Sequence, residues 1–307
     1  MKFDFEHEVK KDDEGLLIKG LLKRERGVST RLMRRMRYGD GGIFMNGKPA
    51  KLIDPVKAGD FVQVSFPVEK SDFEPEDIPI DVVFEDESLL AVNKQPGFVV
   101  HPTKGHPNHT IANGIMKYML DKEDSYKIRF INRLDMNTSG LVLVGKNPHS
   151  QNHFTNQAQR GEIKKIYQAI VCGIVEEDSG VIDLPIGKEE EDKVKRIVRE
   201  DGSPSMTEYK VLKRFDKGYS LIELNLLTGR THQIRVHMSH IGYPVLGDEL
   251  YGGSKPWLME RQALHAAKLS FAHPLTFKKI QLEAGLPDDM QKVLGQLQIT
   301  DSNSLNY

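Results

Sequence analysis

The chain has 307 residues, 38% of them hydrophobic, and its 43 Lys and Arg against 44 Asp and Glu give a formal net charge of −1. That length predicts two domains of unequal size, and the near-neutral balance excludes a uniformly basic nucleic-acid binder. One cysteine, Cys172, excludes an internal disulfide and a cysteine-built zinc site. Residues 1–11 are charged and no apolar run reaches membrane-spanning length, so the expectation is a cytoplasmic protein that does not engage a membrane.

The neutral average hides an asymmetry. Between Lys19 and Lys57 the positive residues are Lys19, Lys23, Arg24, Arg26, Arg31, Arg34, Arg35, Arg37, Lys48, Lys51 and Lys57, opposed only by Glu25, Asp40 and Asp54. Here the pattern predicts a short helix over residues 16–23, a break at Gly27, and a second helix from Ser29 or Thr30, either of which can cap it, to Tyr38. In the second helix Leu32, Met33 and Met36 share an inward face, while Arg31, Arg34, Arg35 and Arg37 crowd the rest. A strand at 43–45, the Asn46-Gly47 turn and a strand at 61–64 complete a small α/β domain over residues 1–70. A solvated charged face is the plain reading of the helix, but four neighbouring arginines repel one another, and a phosphate backbone relieves that repulsion while releasing counterions.

Residues 71–80, rich in Asp, Glu and Pro, read as a linker. Beyond it, in a domain over residues 81–307, strands are predicted at 82–84, 89–92, 141–144, 166–171, 209–211 and 220–226. Helices are predicted near 110–120, 149–159 and 232–240, and the charged stretch 189–200 reads as a surface hairpin or loop. Strand runs with intervening helices, rather than strict alternation, indicate an α+β class with a mixed or antiparallel sheet.

Asp135 stands out within Ile131-Asn132-Arg133-Leu134-Asp135-Met136-Asn137-Thr138-Ser139-Gly140-Leu141. It sits among short polar residues that read as a loop between apolar segments, so its carboxylate is presented. The alternative is an Asx turn capped by Thr138 and Ser139, and spacing does not separate the two.

Arg-Leu-Asp followed by two variable residues and Thr-Ser-Gly-Leu resembles the catalytic motif of RluA-like pseudouridine synthases, which isomerise uridine in structured RNA. Three further stretches resemble the same family in the same order: residues 165–173 around Tyr167, residues 227–237 around Arg230, His232 and Arg235, and residues 242–252 joined to Leu264-His265-Ala266. Residues 15–65 resemble a small S-four-like RNA-binding domain, in which a basic helix and the following turn contact RNA.

The resemblance implies that Asp135 is the catalytic carboxylate and Arg235 its charge partner, with Arg230 and Arg133 as alternatives for that partner. An arginine in reach keeps a sheltered carboxylate ionised and oriented. Tyr167 is implied to stack on the extruded base, with its hydroxyl available for removing the proton from carbon 5. Asn132 stands where many family members have histidine; it cannot titrate near neutrality, so its role is positional. Thr138 and Ser139 shape the loop, and Gly140 permits close backbone approach. Asn132, Arg133, Thr138, Arg230 and His232 are implied on the substrate side of the cleft, and Arg31, Arg34, Arg35 and Arg37 on RNA phosphates.

No cofactor is expected. His101, His106 and His109, or His237 and His240, offer nitrogen ligands, but no cysteine or zinc-hydrolase pattern accompanies them, so no metal is expected either. The implied protein is a monomer acting on structured RNA, ribosomal ahead of transfer RNA. The alternatives are an inactive RNA-binding assembly factor, opposed by the joint presence of Asp135, Tyr167 and Arg235, and a metal-dependent hydrolase, opposed by the lack of an acidic cluster.

Overall fold

The computed structural model describes residues 3–38, 41–190 and 194–299. The first part of the chain forms β1 (Phe5–Glu8), α1 (Ile18–Arg26), α2 (Thr30–Tyr38), β2 (Gly42–Met45), β3 (Lys48–Pro49) and β4 (Phe61–Ser65). Its antiparallel sheet runs β1-β4-β2-β3. Helix α1 starts two residues later than the sequence pattern predicts, because Leu17 bridges Pro55 and the Leu16 carbonyl accepts from Val56. Gly27 closes it in the left-handed region at φ 63°, donating to the carbonyls of Leu22 and Lys23. Ser29 caps α2, its Oγ accepting from Leu32 N at 3.2 Å. Leu32, Met33 and Met36 then join Ile18, Leu21 and Leu22 in one core, leaving the arginines outside.

The rest of the chain forms β5 (Val82–Glu85), β6 (Leu89–Lys94), α3 (Ile111–Asp121), β7 (Arg129–Phe130), β8 (Ser139–Gly145), α4 (Pro148–Gln159), β9 (Lys164–Cys172) and β10 (Ser179–Asp183). After these come β11 (Ile186–Lys188), β12 (Arg196–Val198), β13 (Met206–Phe215), β14 (Tyr219–Leu226), α5 (Gln233–His240), β15 (Leu264–Ala272), β16 (Lys279–Glu283) and α6 (Asp288–Gln298). One sheet runs β10-β13-β14-β9-β15-β8-β6-β5, with β16 on β15 and β7 on β8. The sheet is mixed, in agreement with the α+β expectation: β8 and β15 are parallel, and the other pairings are antiparallel. The charged stretch 189–200 follows β11 and contains β12, which pair as a hairpin; residues 191–193 of that stretch lie outside the described residues.

Every residue of β8 is buried, because both faces of the sheet are covered. Leu90, Val92, Val142 and Val144 pack with Ile111 and Ile115 of α3 on one face, and Leu89, Ala91, Leu141 and Leu143 pack with Phe154 of α4 on the other. At the parallel seam Gly140 has φ 111°, and a β-carbon there would overlap the Ala266 backbone, so only glycine lets β8 and β15 meet.

The two sheets are joined by specific contacts. Phe66 stacks on His149 of α4 at 5.6 Å, and Arg26 Nη1 donates to the Leu275 carbonyl at 2.8 Å. His149 Nε2 faces the Pro274 carbonyl at 3.1 Å, and burial pulls the imidazole down to about 4, so the ring is neutral in this interface. Among the described residues no helix is long and apolar enough to cross a membrane.

Candidate active site

The segment from β7 to β8 delivers Asp135 to the parallel seam of the sheet. Its turn closes through the main chain: Thr138 N donates to the Asp135 carbonyl at 3.0 Å, leaving the carboxylate for other partners. The loop is fixed from several sides. Asn132 donates to the Leu141 carbonyl at 2.9 Å and accepts from Leu143 N at 2.8 Å, so its amide is occupied by β8. Arg261, held on Asp289 at 2.7 and 2.9 Å, donates to the Asn137 carbonyl at 2.9 Å. Gln262 donates to Thr138 Oγ1 at 3.3 Å.

Beneath the loop lies Lys94, 1% exposed, whose Nζ donates to the carbonyls of Met136 and Gln95 at 2.8 and 2.9 Å. Burial, with the Arg261 charge acting the same way, pulls its ammonium down to about 7 against an opposing pull from Asp135. An uncharged amine still has two donors, matching the two carbonyls. Because the folded value lies below the unfolded value of 10.5, the unfolded chain binds the extra proton between the two, and stability rises with pH across that window. Lys94→Met should remove this rise, read from unfolding free energies between about pH 6 and about pH 9. An equally steep rise in the variant would assign it to another group.

Arg235, on α5, reaches the carboxylate: its Nη1 donates to Asp135 Oδ2 at 3.0 Å. The rest of its guanidinium grips Asp248, with Nε to Oδ2 at 2.7 Å and Nη2 to Oδ1 at 3.0 Å, and lies 5.0 Å from the Tyr251 ring centre. Burial opposes the charge on Arg235, but Asp248 and Asp135 outweigh it and raise its pKa. Helix α5 is anchored by Gln233, which accepts from Arg230 N and Thr228 Oγ1, both at 2.9 Å, and donates to the Met206 carbonyl at 2.9 Å and Thr207 Oγ1 at 3.0 Å.

His232, the left-handed N-cap of α5 at φ 59°, places Nε2 3.8 Å from Asp135 Oδ2 and Nδ1 2.9 Å from Tyr251 Oη. Tyr251 Oη also accepts from Arg196 N at 2.9 Å and can either donate to Nδ1 or accept from it, so either nitrogen of a neutral His232 can carry the proton. Burial lowers the His232 pKa against the pull of Asp135, which favours this neutral ring.

Tyr167 comes from β9, opposite Ala266 of β15 and Leu224 of β14, and is 7% exposed. Burial and then the Asp135 charge raise its pKa, keeping the phenol protonated. Together these groups border a cleft of about 500 Å³ that Asn132, Arg133, Thr138, Lys165 and Arg230 also line. Arg133 is exposed, and Arg230 donates to the Pro204 carbonyl at 3.2 Å. Of the three arginines near the motif, Arg235 is the one that pairs with Asp135 among the described residues.

Arg31 and Arg35 lie at a separate groove, and Arg34 and Arg37 are exposed on α2, outside the cleft lining. Sequence reasoning did not single out Asp248, Tyr251, Lys94, Lys165 or Arg261. Asp248 and Tyr251 stand within a stretch matched to the family, but nothing local marks them as partners of α5. His237 faces Thr207 Oγ1 and the Leu184 carbonyl, both at 2.9 Å, and among the described residues no cluster of His, Cys, Asp or Glu could hold a metal ion.

The seam of the mixed sheet presents one arginine-bound carboxylate beside a buried aromatic ring in an open cleft, a lining suited to carboxylate chemistry on a planar, stackable substrate. Comparison gives the family. The RNA pseudouridylate synthase profile matches residues 88–240, a span holding Asp135, Tyr167 and Arg235. The uncharacterized RNA pseudouridine synthase YlyB of Bacillus subtilis is 39% identical over 262 residues, covering 84% of this chain and 86% of that protein. Ribosomal large subunit pseudouridine synthase D of Neisseria meningitidis is 37% identical over 274 residues, covering 85% and 73%. Human RNA pseudouridylate synthase domain containing 1 has the same fold, with a TM-score of 0.57 at 24% identity over 74% of this chain and 98% of that one. The chain belongs to the RNA pseudouridine synthase family, of RluA-like type, and is an RNA pseudouridine synthase.

Proposed function

We propose that Asp135 is the catalytic carboxylate and that the substrate is a uridine in large-subunit ribosomal RNA. The observation that carries the first part is the shared guanidinium: Arg235 is locked on Asp248 and offers its remaining edge to Asp135. A carboxylate so held is fixed in its orientation. Isomerisation breaks the bond from ribose to the uracil nitrogen, turns the base, joins ribose to carbon 5, and in balance removes the carbon 5 proton and leaves a proton on the freed nitrogen. It is redox-neutral and transfers no external group, so one ionised carboxylate suffices to attack the nucleoside or promote departure of the base.

The uridine must leave its stack, at a cost of a few kcal/mol. The Tyr167 ring supports stacking on the extruded base. Its raised pKa disfavours a phenolate base, so the ring face is the more useful part of the residue. Arg133, Arg230 and Lys165 give the cleft a positive lining suited to the phosphates on either side. The unit before residue 71, with its four arginines on α2, serves as an S-four-like RNA-binding domain.

The ribosomal assignment rests on the relatives named for a large-subunit reaction. Mapping pseudouridines in cells with and without this protein tests it. At least one large-subunit site should vanish without the protein and return with the wild-type chain. A vanished site confined to transfer RNA overturns the substrate, and an unchanged map overturns cellular activity.

A further inference from the structure

A second groove, of about 540 Å³, opens between α2 of the N-terminal unit and α4 on the catalytic sheet. Glu69 lies in it, gripped from two sides: Arg35 Nη2 donates to Oε1 at 2.7 Å, and Arg129 pairs with Oε2. Arg31 and Lys127 complete the basic lining; both are exposed, and neither has an ion pair among the described residues. One carboxylate therefore faces four cations.

The opposite wall is neutral and polar. Gln151, Asn152 and Thr155 of α4 face the groove, and among the described residues the side-chain amides of Gln151 and Asn152 have no protein hydrogen-bond partner. Free amides beside unneutralised cations suit a ligand with both charge and hydrogen-bonding groups along its length. The groove is separate from the cleft but borders it. Phe130 lines both, and its ring lies 6.4 Å from that of His101 at the cleft wall.

We propose that this groove is a second RNA subsite, taking the phosphodiester backbone of the strand that flanks the uridine in the cleft. The inference rests on the reading of the chain as an RNA isomerase and adds where the flanking RNA runs. An acidic peptide would satisfy the cations, but the position of the groove next to the Asp135 cleft, with Phe130 as the shared wall, favours the polymer that carries the substrate base. The docked domains explain why the subsite is built at all: Phe66 on His149 and Arg26 on Leu275 hold α2 opposite α4.

The test uses the full chain carrying Lys127→Ala, Gln151→Ala and Asn152→Ala, three changes outside the Asp135 cleft. Two probes are titrated: an in vitro transcript of large-subunit ribosomal RNA, and a single-stranded pentanucleotide centred on uridine that is too short to fill both depressions. The variant should bind the transcript about tenfold more weakly, and loss of the Lys127 phosphate contact should flatten the logarithmic salt slope by roughly 0.7 to 0.9. Its affinity for the pentanucleotide should equal wild type. Equal affinity and salt slope on the transcript, or an equal loss on both probes, overturns the subsite. Isomerisation of the transcript is followed in parallel. Wild-type binding without isomerisation, with the length-dependent loss intact, would count against the reaction and leave the groove standing.

Discussion

Asp135→Asn is expected to lower the single-turnover rate of uridine isomerisation by about 10⁴-fold or more, the upper range for one proton-transferring group and a floor for a nucleophile. Stability should change little. The Asp135 side chain is 27% exposed, and Arg235 keeps its two-point contact with Asp248, so no buried cation is orphaned. Asparagine retains the shape and an acceptor oxygen for Arg235 Nη1 but cannot supply the charge. Its neighbour His232 is held neutral by burial and offers no substitute carboxylate. With RNA affinity assigned, as proposed, to the basic lining and α2, binding should stay near wild type. Substantial pseudouridine formation by the folded variant would remove Asp135 from the catalytic role.

Much of the fold could be read locally. Helix α2 was legible because Ser29 is a cap and Leu32, Met33 and Met36 recur on one face. Strand β8 was legible because burial on both faces demands a continuous apolar run. Strand β15 was less so. Although it pairs with β8, β9 and β16, it includes His265, Lys268 and Ser270, which break the strand signal, and only its first residues were noticed, as a family motif. Strand β13, one strand in from the β10 edge of the sheet, mixes apolar and charged residues, so only its middle, 209–211, was read as strand. Helix α6 carries Met290, Val293 and Leu297 on one buried face, a pattern that was available but not used.

The site divides in the same way. Asp135 was visible because a short polar loop between apolar strands presents an acid. Its partner was not fixed by spacing, since Arg133, Arg230 and Arg235 all reach the cleft, and only the turn of α5 aims Arg235 at the carboxylate. Lys94 lies just past the strand predicted at 89–92 and carries no local signal; its burial follows from the loop folded over it. Asp248 lies after α5 in a loop with no regular period, and its pairing to Arg235 exists only once that loop packs back on the helix.

That pairing makes Arg235 the more damaging residue to change. Arg235→Met should slow isomerisation severely and also destabilise the protein by about 3–5 kcal/mol, the usual effect of breaking a buried ion pair from one side. The Asp248 side chain is fully buried, and without the guanidinium it keeps, among the described residues, only Leu250 N and Tyr251 N, at 3.2 and 3.3 Å, as donors. Loss of rate in the single variant could therefore come from unfolding. Adding Asp248→Asn removes the stranded charge while keeping an acceptor for those two amides, so the double variant should recover much of the lost stability. Its rate should stay low, because Asp135 still lacks its cation. Urea unfolding and single-turnover kinetics on both variants separate the two functions of Arg235. If rate returns together with stability, Arg235 serves only to neutralise Asp248; if stability returns alone, the guanidinium acts on Asp135 during the reaction.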